Sequence, residues 1–225
     1  MSNQEPGKIS RRSILATSLG ASLGATGIFS SNLAEAAAAL RGKKVLVAIG
    51  EFSEGLETYY TVFRFMEEGI KPVVAAGQVK RLHMVVHDFD PKYSNYIEMP
   101  GYCIKTDVAY KDIDPSQYDG MLIPGGRGPE EMRLYPDALR VTRYFMNNNL
   151  PLGAICHGPQ VLWSAGSVKG RKIAACGSIK ADVEAAGATF VDEPAVVDGS
   201  LVTSRGWPDL PYFLPAFLKV LSQKG

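Results

Sequence analysis

The sequence predicts a doubly wound α/β sandwich. Two observations carry the prediction. Short β-branched runs of strand length alternate with stretches at helical spacing, and most of those runs are apolar throughout. A strand covered by helices on both faces has no side that meets water, so continuous apolar runs in βαβ order imply a parallel sheet.

The elements follow in order. Residues 43–49 (KKVLVAI) form a buried strand by length and composition, ending at Gly50. In residues 51–69, Leu56, Tyr60, Phe63 and either Met66 or Glu67 recur at helical spacing, and Gly69 stops the helix. Residues 71–76 (KPVVAA) and 120–124 (GMLIP) are strands, the second running into Gly-Gly-Arg-Gly-Pro. Residues 136–149 are a helix with Pro near its start and an Asn-rich end. Residues 150–155 read as a strand, 159–166 as a helix, 171–176 as a strand and 179–186 as a short helix closed by Gly187. Alternation around Asp198-Gly199 signals a hairpin, expected as an accessory to the sheet. Residues 208–221 are helical in their second half, because Pro211 and Pro215 restrict where the helix begins. Residues 79–113, with Pro91, Pro100 and several tyrosines, suggest short strands and loops. This stretch is long enough to be functional or interfacial.

Residues 1–40 read as a targeting segment rather than as fold. Arg11-Arg12 precedes a weakly apolar Gly, Ala and Ser-rich run to Phe29, the pattern of a twin-arginine export signal. Ala34-Glu35-Ala36 and Ala36-Ala37-Ala38 each offer a small-x-small cleavage site, and the expected destination is the periplasm. The apolar run falls short of the roughly 20 residues of a membrane span, so no stable span is expected after cleavage. Residues 41–225 then form one domain of about 185 residues, ample for a sizeable core. A net charge of +1 lacks the clustered Lys and Arg of a nucleic-acid footprint. Of the three cysteines, Cys103 and Cys176 are expected as small buried hydrophobes, with a disulfide between them as the alternative.

In an open α/β sheet, ligands bind beyond the carboxyl ends of the strands. Three turns there have unusual content: 50–57 with Glu51, Glu54 and Glu57; 125–130 with Gly126, Arg127 and Glu130; and 155–158 with Cys156 and His157. Ala154-Ile155-Cys156-His157-Gly158 has the small-x-nucleophile-x-Gly layout of a nucleophile elbow. A helix N-terminus beneath Cys156 favours thiolate, and the backbone amides of Gly126 and His157 are candidate oxyanion donors. A protonated carboxyl donating to the sulfur suits Glu57, with Glu54 second. Adjacent side chains on a helix do not face each other, so His157 is either a base reached by elbow distortion or a helix-capping or interface residue. His83 and His87 are expected at the surface. No metal site or cofactor is expected, because no compact His/Cys/carboxylate spacing occurs.

The segments VLVAIGEFSEGLET, MLIPGGRGPEEMRL, AICHGPQVLWSAGSVKGRK and VVDGSLVTSRGWPDL resemble the ThiJ/PfpI superfamily, specifically its PfpI-type intracellular protease/amidase branch, over about residues 43–221. The resemblance implies a flavodoxin-like sandwich akin to class I glutamine amidotransferases, assembled as dimers or hexamers. It implies Cys156 as nucleophile, Glu57 as carboxyl partner of the thiol, and His157 in a triad completed by Glu130 of an adjacent subunit. It further implies peptidase, amidase, glyoxalase-like or deglycase chemistry on a small carbonyl or amide compound, or a peptide. A longer 80–99 stretch, Pro211 and Pro215 depart from the family pattern. The alternatives are a redox-sensing or stress-protective protein whose Cys156 is oxidised without turnover, and a small-molecule binding domain in which Cys156 is structural.

Overall fold

The computed structural model describes residue 35, residues 38–166 and residues 168–224. Most of the expected export signal, including Arg11 and Arg12, lies outside the described residues. Residues from Ala36 onward form a compact unit of their own. Leu40 is already part of its core, so cleavage at either expected site would leave that contact in place. Among the described residues no helix is long and apolar enough to cross a membrane.

Among the described residues the elements include eleven strands and six α-helices, with strands and helices alternating through most of the main sheet. The strands are β1 (Lys44–Ala48), β2 (Lys71–Ala76), β3 (Arg81–Asp88), β4 (Ile97–Lys105), β5 (Val108–Ala109), β6 (Gly120–Ile123), β7 (Leu152–Ile155), β8 (Lys172–Ile173), β9 (Thr189–Phe190), β10 (Val196–Asp198) and β11 (Leu201–Ser204). The helices are α1 (Gly55–Glu67), α2 (Gly128–Met132), α3 (Pro136–Asn147), α4 (Pro159–Ala165), α5 (Lys180–Ala185) and α6 (Leu210–Ser222). The main sheet runs β10-β11-β7-β6-β1-β2-β5 and is parallel except for β10. The chain builds outward from β1 in one direction to β5, then returns to the other side of β1 at β6. The crevice between the β1 and β6 exits is therefore the topological switch point, where such sheets bind ligands.

Side chains of β1 alternate between two cores, as a pleated strand buried on both faces must. Leu46 and Ala48 pack with Ala138, Val141 and Phe145 of α3 and Val161 and Leu162 of α4. Val45, Val47 and Ile49 pack with Phe65 of α1 and Phe213, Phe217 and Leu221 of α6. Each large side chain fully buried this way stabilises the fold by about 1.5–3 kcal/mol.

The apolar residues at helical spacing in α1 are largely exposed, Leu56, Phe63 and Met66 by 47%, 56% and 61%, while Glu57, Thr58, Thr61 and Phe65 are buried. Phe65 packs on α6, its ring 5.7 Å from Phe217, with Tyr59 and Val62 partly buried against the same core. Three expectations are corrected. The α6 helix includes both prolines, beginning at Leu210 with Pro211 in its first turn and Pro215 inside it. Residues 79–113 are not merely short strands and loops, for β3 and β4 make a long antiparallel hairpin with a register shift between His83 and Val85. The β10–β11 hairpin is no accessory, because β11 pairs in parallel with β7 and completes the sheet.

Candidate active site

Cys156 follows β7 directly and takes φ +60°, a left-handed backbone that L side chains rarely adopt. Its N–H is anchored to the Ser204 carbonyl of β11 at 3.0 Å, and the Gly158 N–H closes the turn on Ile155 O at 2.8 Å. Pro159 then starts α4 without needing a donor. Strand, sharp turn and helix thus present the Cys156 sulfur at the crevice, as the elbow pattern predicts.

The other two rim turns are bonded to each other. Glu54 N–H donates to Gly125 O at 3.0 Å, and Arg127 N–H to Phe52 O at 2.9 Å. Gly125 is tightly enclosed: a Cβ there would collide with Cys156 Cβ and lie 2.8 Å from its sulfur. Gly126 takes φ +72°, which glycine adopts without strain. Its amide also interacts with the Cys156 sulfur, lowering the thiol's affinity for its proton.

Glu57 lies at the first turn of α1 and is fully buried. Its Oε2 accepts from Gly125 N–H at 2.6 Å. Oε1 has no hydrogen-bond partner among the described residues, although the carboxyl lies close enough to Cys156 for the thiol to lower its pKa. Burial, then the neighbouring Glu54 charge, holds the Glu57 pKa well above the usual carboxylate range. The carboxyl therefore keeps its proton to higher pH than an ordinary glutamate does. Glu54 instead caps α1, accepting Glu57 N–H at 2.6 Å. Of the two candidate carboxyls, Glu57 is the one that interacts with the Cys156 thiol.

His157 is buried, and burial lowers its pKa, so the ring is neutral. Nδ1 lies 3.3 Å from Cys156 Sγ and Nε2 lies 3.2 Å from Ser178 Oγ. An Nε2–H tautomer donating to Ser178 leaves the Nδ1 lone pair facing the sulfur. Glu130, on α2, is exposed and makes no hydrogen bond to His157 within the chain.

Sequence reasoning missed the second thiol. Cys176 is neither a buried hydrophobe nor a disulfide partner of Cys103; all three thiols are free. Its N–H donates to Cys156 O at 3.0 Å, and its sulfur lies 3.2 Å from Ser178 Oγ. The hydrogen bond from the Cys156 thiol pulls the Cys176 pKa down to about 5. The same bond, followed by burial and Glu57, pushes Cys156 up. The contact between the two thiols thus acts in opposite directions on them, lowering Cys176 and raising Cys156. The signal was present in Ala174-Ala175-Cys176-Gly177-Ser178, a run of small residues leaving a strand toward the same rim.

His87 corrects the surface expectation as well. It is buried, with Nε2 3.0 Å from Glu98 Oε2, its ring 4.3 Å from Tyr96 and its carbonyl accepting from Trp207 Nε1–H at 2.8 Å. Glu98 also holds Arg127 through both carboxylate oxygens, at 3.1 and 2.9 Å. The hairpin is thereby fastened to the rim. His83, by contrast, is exposed as expected. A cleft of about 640 Å³ opens beside Cys176 and Ser178, walled by Phe89, Tyr93 and Tyr96.

An elbow cysteine under a Gly-Gly turn, with a buried carboxyl on its sulfur, is an arrangement that comparison with known proteins can place. The DJ-1/PfpI family model matches residues 43–220. The chain belongs to the DJ-1/PfpI family. Among DJ-1/PfpI relatives, a deglycase of Thermococcus kodakarensis is 36% identical over 181 residues, spanning 79% of this chain and 99% of the relative. Deglycase PfpI of Pyrococcus furiosus is 34% identical over 182 residues, spanning 80% and 99%. A solved two-domain protein of Anabaena variabilis, with DJ-1/ThiJ/PfpI-like and ferritin-like domains, superposes with a TM-score of 0.69 at 29% identity, over 80% of this chain and 48% of that one. Drosophila melanogaster DJ-1beta shares the DJ-1/PfpI fold at 23% identity and a TM-score of 0.69, over 81% and 91% of the two chains.

Proposed function

We propose that this DJ-1/PfpI protein is a cysteine-dependent, deglycase-like enzyme acting on small carbonyl compounds or their adducts. The observation that carries the reading is the Cys156 sulfur on its left-handed elbow, 3.3 Å from His157 Nδ1 and beside the buried Glu57 carboxyl, whose pKa is raised. Relatives named deglycases, matched over nearly their whole length, support it.

In this reading Cys156 transfers its proton into the cluster, to Cys176 or to His157 Nδ1, and its sulfur bonds to the carbonyl carbon. The carbonyl π electrons move to oxygen, where the amides of Gly126 and His157 stabilise the charge. Glu57 donates to the sulfur and makes the thiolate accessible in a buried setting. His157 returns the proton when the adduct collapses. Glu130 completes the triad from an adjacent subunit of a homo-oligomer, and residues 1–40 direct export.

Purified protein assayed with methylglyoxal, with its lysine and cysteine adducts, and with peptide amides tests the reading. Turnover of the carbonyl compounds should fall by at least about a thousandfold in Cys156→Ala. Equal rates for wild type and variant would sink it, and turnover of peptide amides alone would replace deglycase with amidase chemistry.

A further inference from the structure

Cys176 belongs to a cluster that local sequence spacing conceals. Its N–H is bonded to Cys156 O at 3.0 Å, and two residues earlier Ala174 N–H is bonded to Thr203 Oγ1 of β11 at 2.9 Å. Two separate segments are thus pinned with their thiols facing each other. One donor atom each from Cys156, His157 and Cys176 lies within 4.8 Å of the others. In a tetrahedral zinc site, with metal–donor bonds of about 2.0–2.3 Å, donors stand roughly 3.5–3.8 Å apart. The Cys156 Sγ–His157 Nδ1 distance of 3.3 Å is already near that spacing, and no pair in the set exceeds it by more than about an ångström.

Four further features suit a metal. Ser178 Oγ lies 3.2 Å from His157 Nε2 and 3.2 Å from Cys176 Sγ. It therefore fixes the imidazole so that Nδ1 points into the cluster, the outer-shell contact that metal-bound histidines have. Two sulfurs and an imidazole select a thiophilic ion over magnesium or calcium. Two thiolates also balance a dication, so the loaded cluster would carry no net charge into a largely buried setting. The cleft lined by Cys176 and Ser178 leaves room for a fourth ligand.

From this geometry we infer that Cys156, His157 and Cys176 form a three-donor site for a thiophilic divalent cation, zinc foremost, with the fourth position open to the cleft. On binding, Cys156 releases its thiol proton to solvent, both sulfurs and Nδ1 donate lone pairs, and no oxidation state changes. Bound zinc occupies the lone pair that would attack a carbonyl, so zinc and turnover exclude each other. That second statement rests on the nucleophile assignment to Cys156.

The full chain, reduced and stripped with chelator, is titrated with Co²⁺ as a spectroscopic probe and then with Zn²⁺. One equivalent of Co²⁺ should give thiolate-to-cobalt charge transfer and the intense visible bands of four-coordinate cobalt, both bleached by Zn²⁺. Cys176→Ala should weaken Zn²⁺ binding at least about tenfold; Cys176→Ser serves if the alanine variant does not fold. Cys103→Ala should change nothing, although Cys103 Sγ lies 3.2 Å from His83 Nδ1. Absence of charge transfer, undiminished charge transfer with unchanged affinity in both Cys176 variants, or its loss in Cys103→Ala would overturn the site. Carbonyl turnover should be inhibited by Zn²⁺ and restored by chelator; inhibition absent at saturating Zn²⁺ would overturn the exclusion. A chain that binds Co²⁺ at this cluster yet turns over no substrate would refute the proposed enzyme and leave the metal site standing.

Discussion

Glu57 and Gly125 are joined by a 2.6 Å hydrogen bond from the glycine amide to Oε2 of the carboxyl. That bond fixes a buried acid against the turn that lies over the nucleophilic sulfur. It also explains why a glutamate occupies the core side of α1, where a hydrophobe would otherwise pack. One oxygen accepts from the amide and the other, without a hydrogen-bond partner among the described residues, is free for the Cys156 contact; neither role needs a negative charge.

Glu57→Gln keeps both contacts and removes the titration. A carboxyl whose folded pKa is raised stabilises the fold fully below its unfolded pKa and loses that contribution as pH climbs toward the folded value. Wild type should therefore lose stability relative to Glu57→Gln from about pH 4.5 upward, by as much as about 1.4 kcal/mol per pH unit until the folded pKa is reached. Thermal melts of the metal-free proteins across pH measure this, and a difference independent of pH would contradict a buried neutral acid. In turnover, Glu57→Leu, which removes the donor to sulfur, should be at least about tenfold worse than Glu57→Gln.

Gly125→Ala tests the enclosure of the elbow. The added methyl would overlap Cys156 Cβ and approach its sulfur and the His157 amide. Backbone must move on one side or the other, and overpacking of this kind typically costs about 1–3 kcal/mol. The expected result is a folded, destabilised protein with a displaced sulfur and carbonyl turnover reduced at least about tenfold. A variant with wild-type melting and wild-type rates would mean that the two turns are farther apart in solution.

The opposed shifts of the two thiols have their own signature. In metal-free protein, alkylation of Cys176 should titrate with a midpoint of about 5, read by mass spectrometry of the modified peptides. Removing the donor with Cys156→Ala should shift that midpoint upward, toward an ordinary thiol. Reactivity of Cys176 that begins only above pH 8 would disprove the hydrogen-bonded pair.

Sequence pattern revealed what depends on local chemistry. The apolar strands, the Gly-Gly turn after β6 and the elbow at Cys156 each follow from residues within a few positions of one another. The fold class and the placement of Glu57 followed from them. Cys176 could not be read the same way, because its meaning comes from a backbone bond to Cys156 across twenty positions. His87 was hidden for a similar reason: Glu98 of the paired strand, Tyr96 just before it and Trp207 from far along the chain surround it. The α1 stripe marked the helix but not its partner, because helical periodicity shows that a face is apolar without showing what covers it.

That stripe and Glu130 lead to a joint prediction about assembly. Leu56 and Phe63 border a groove of about 660 Å³ with Val86 and Tyr102 of the β3–β4 hairpin, an apolar surface of the kind that marks interfaces. We expect the chain to self-associate through it, and Phe63→Glu to lower the mass measured by light scattering without changing the circular dichroism of the fold. Unchanged mass would exclude this face. Glu130 is tested by complementation. If it serves the His157 of a neighbour, Glu130→Ala and Cys156→Ala should each be inactive alone, and mixed oligomers of the two should regain a measurable fraction of wild-type turnover. Mixed oligomers that form but stay inactive would place the whole site within one subunit, with the neutral His157 ring oriented by Ser178 alone.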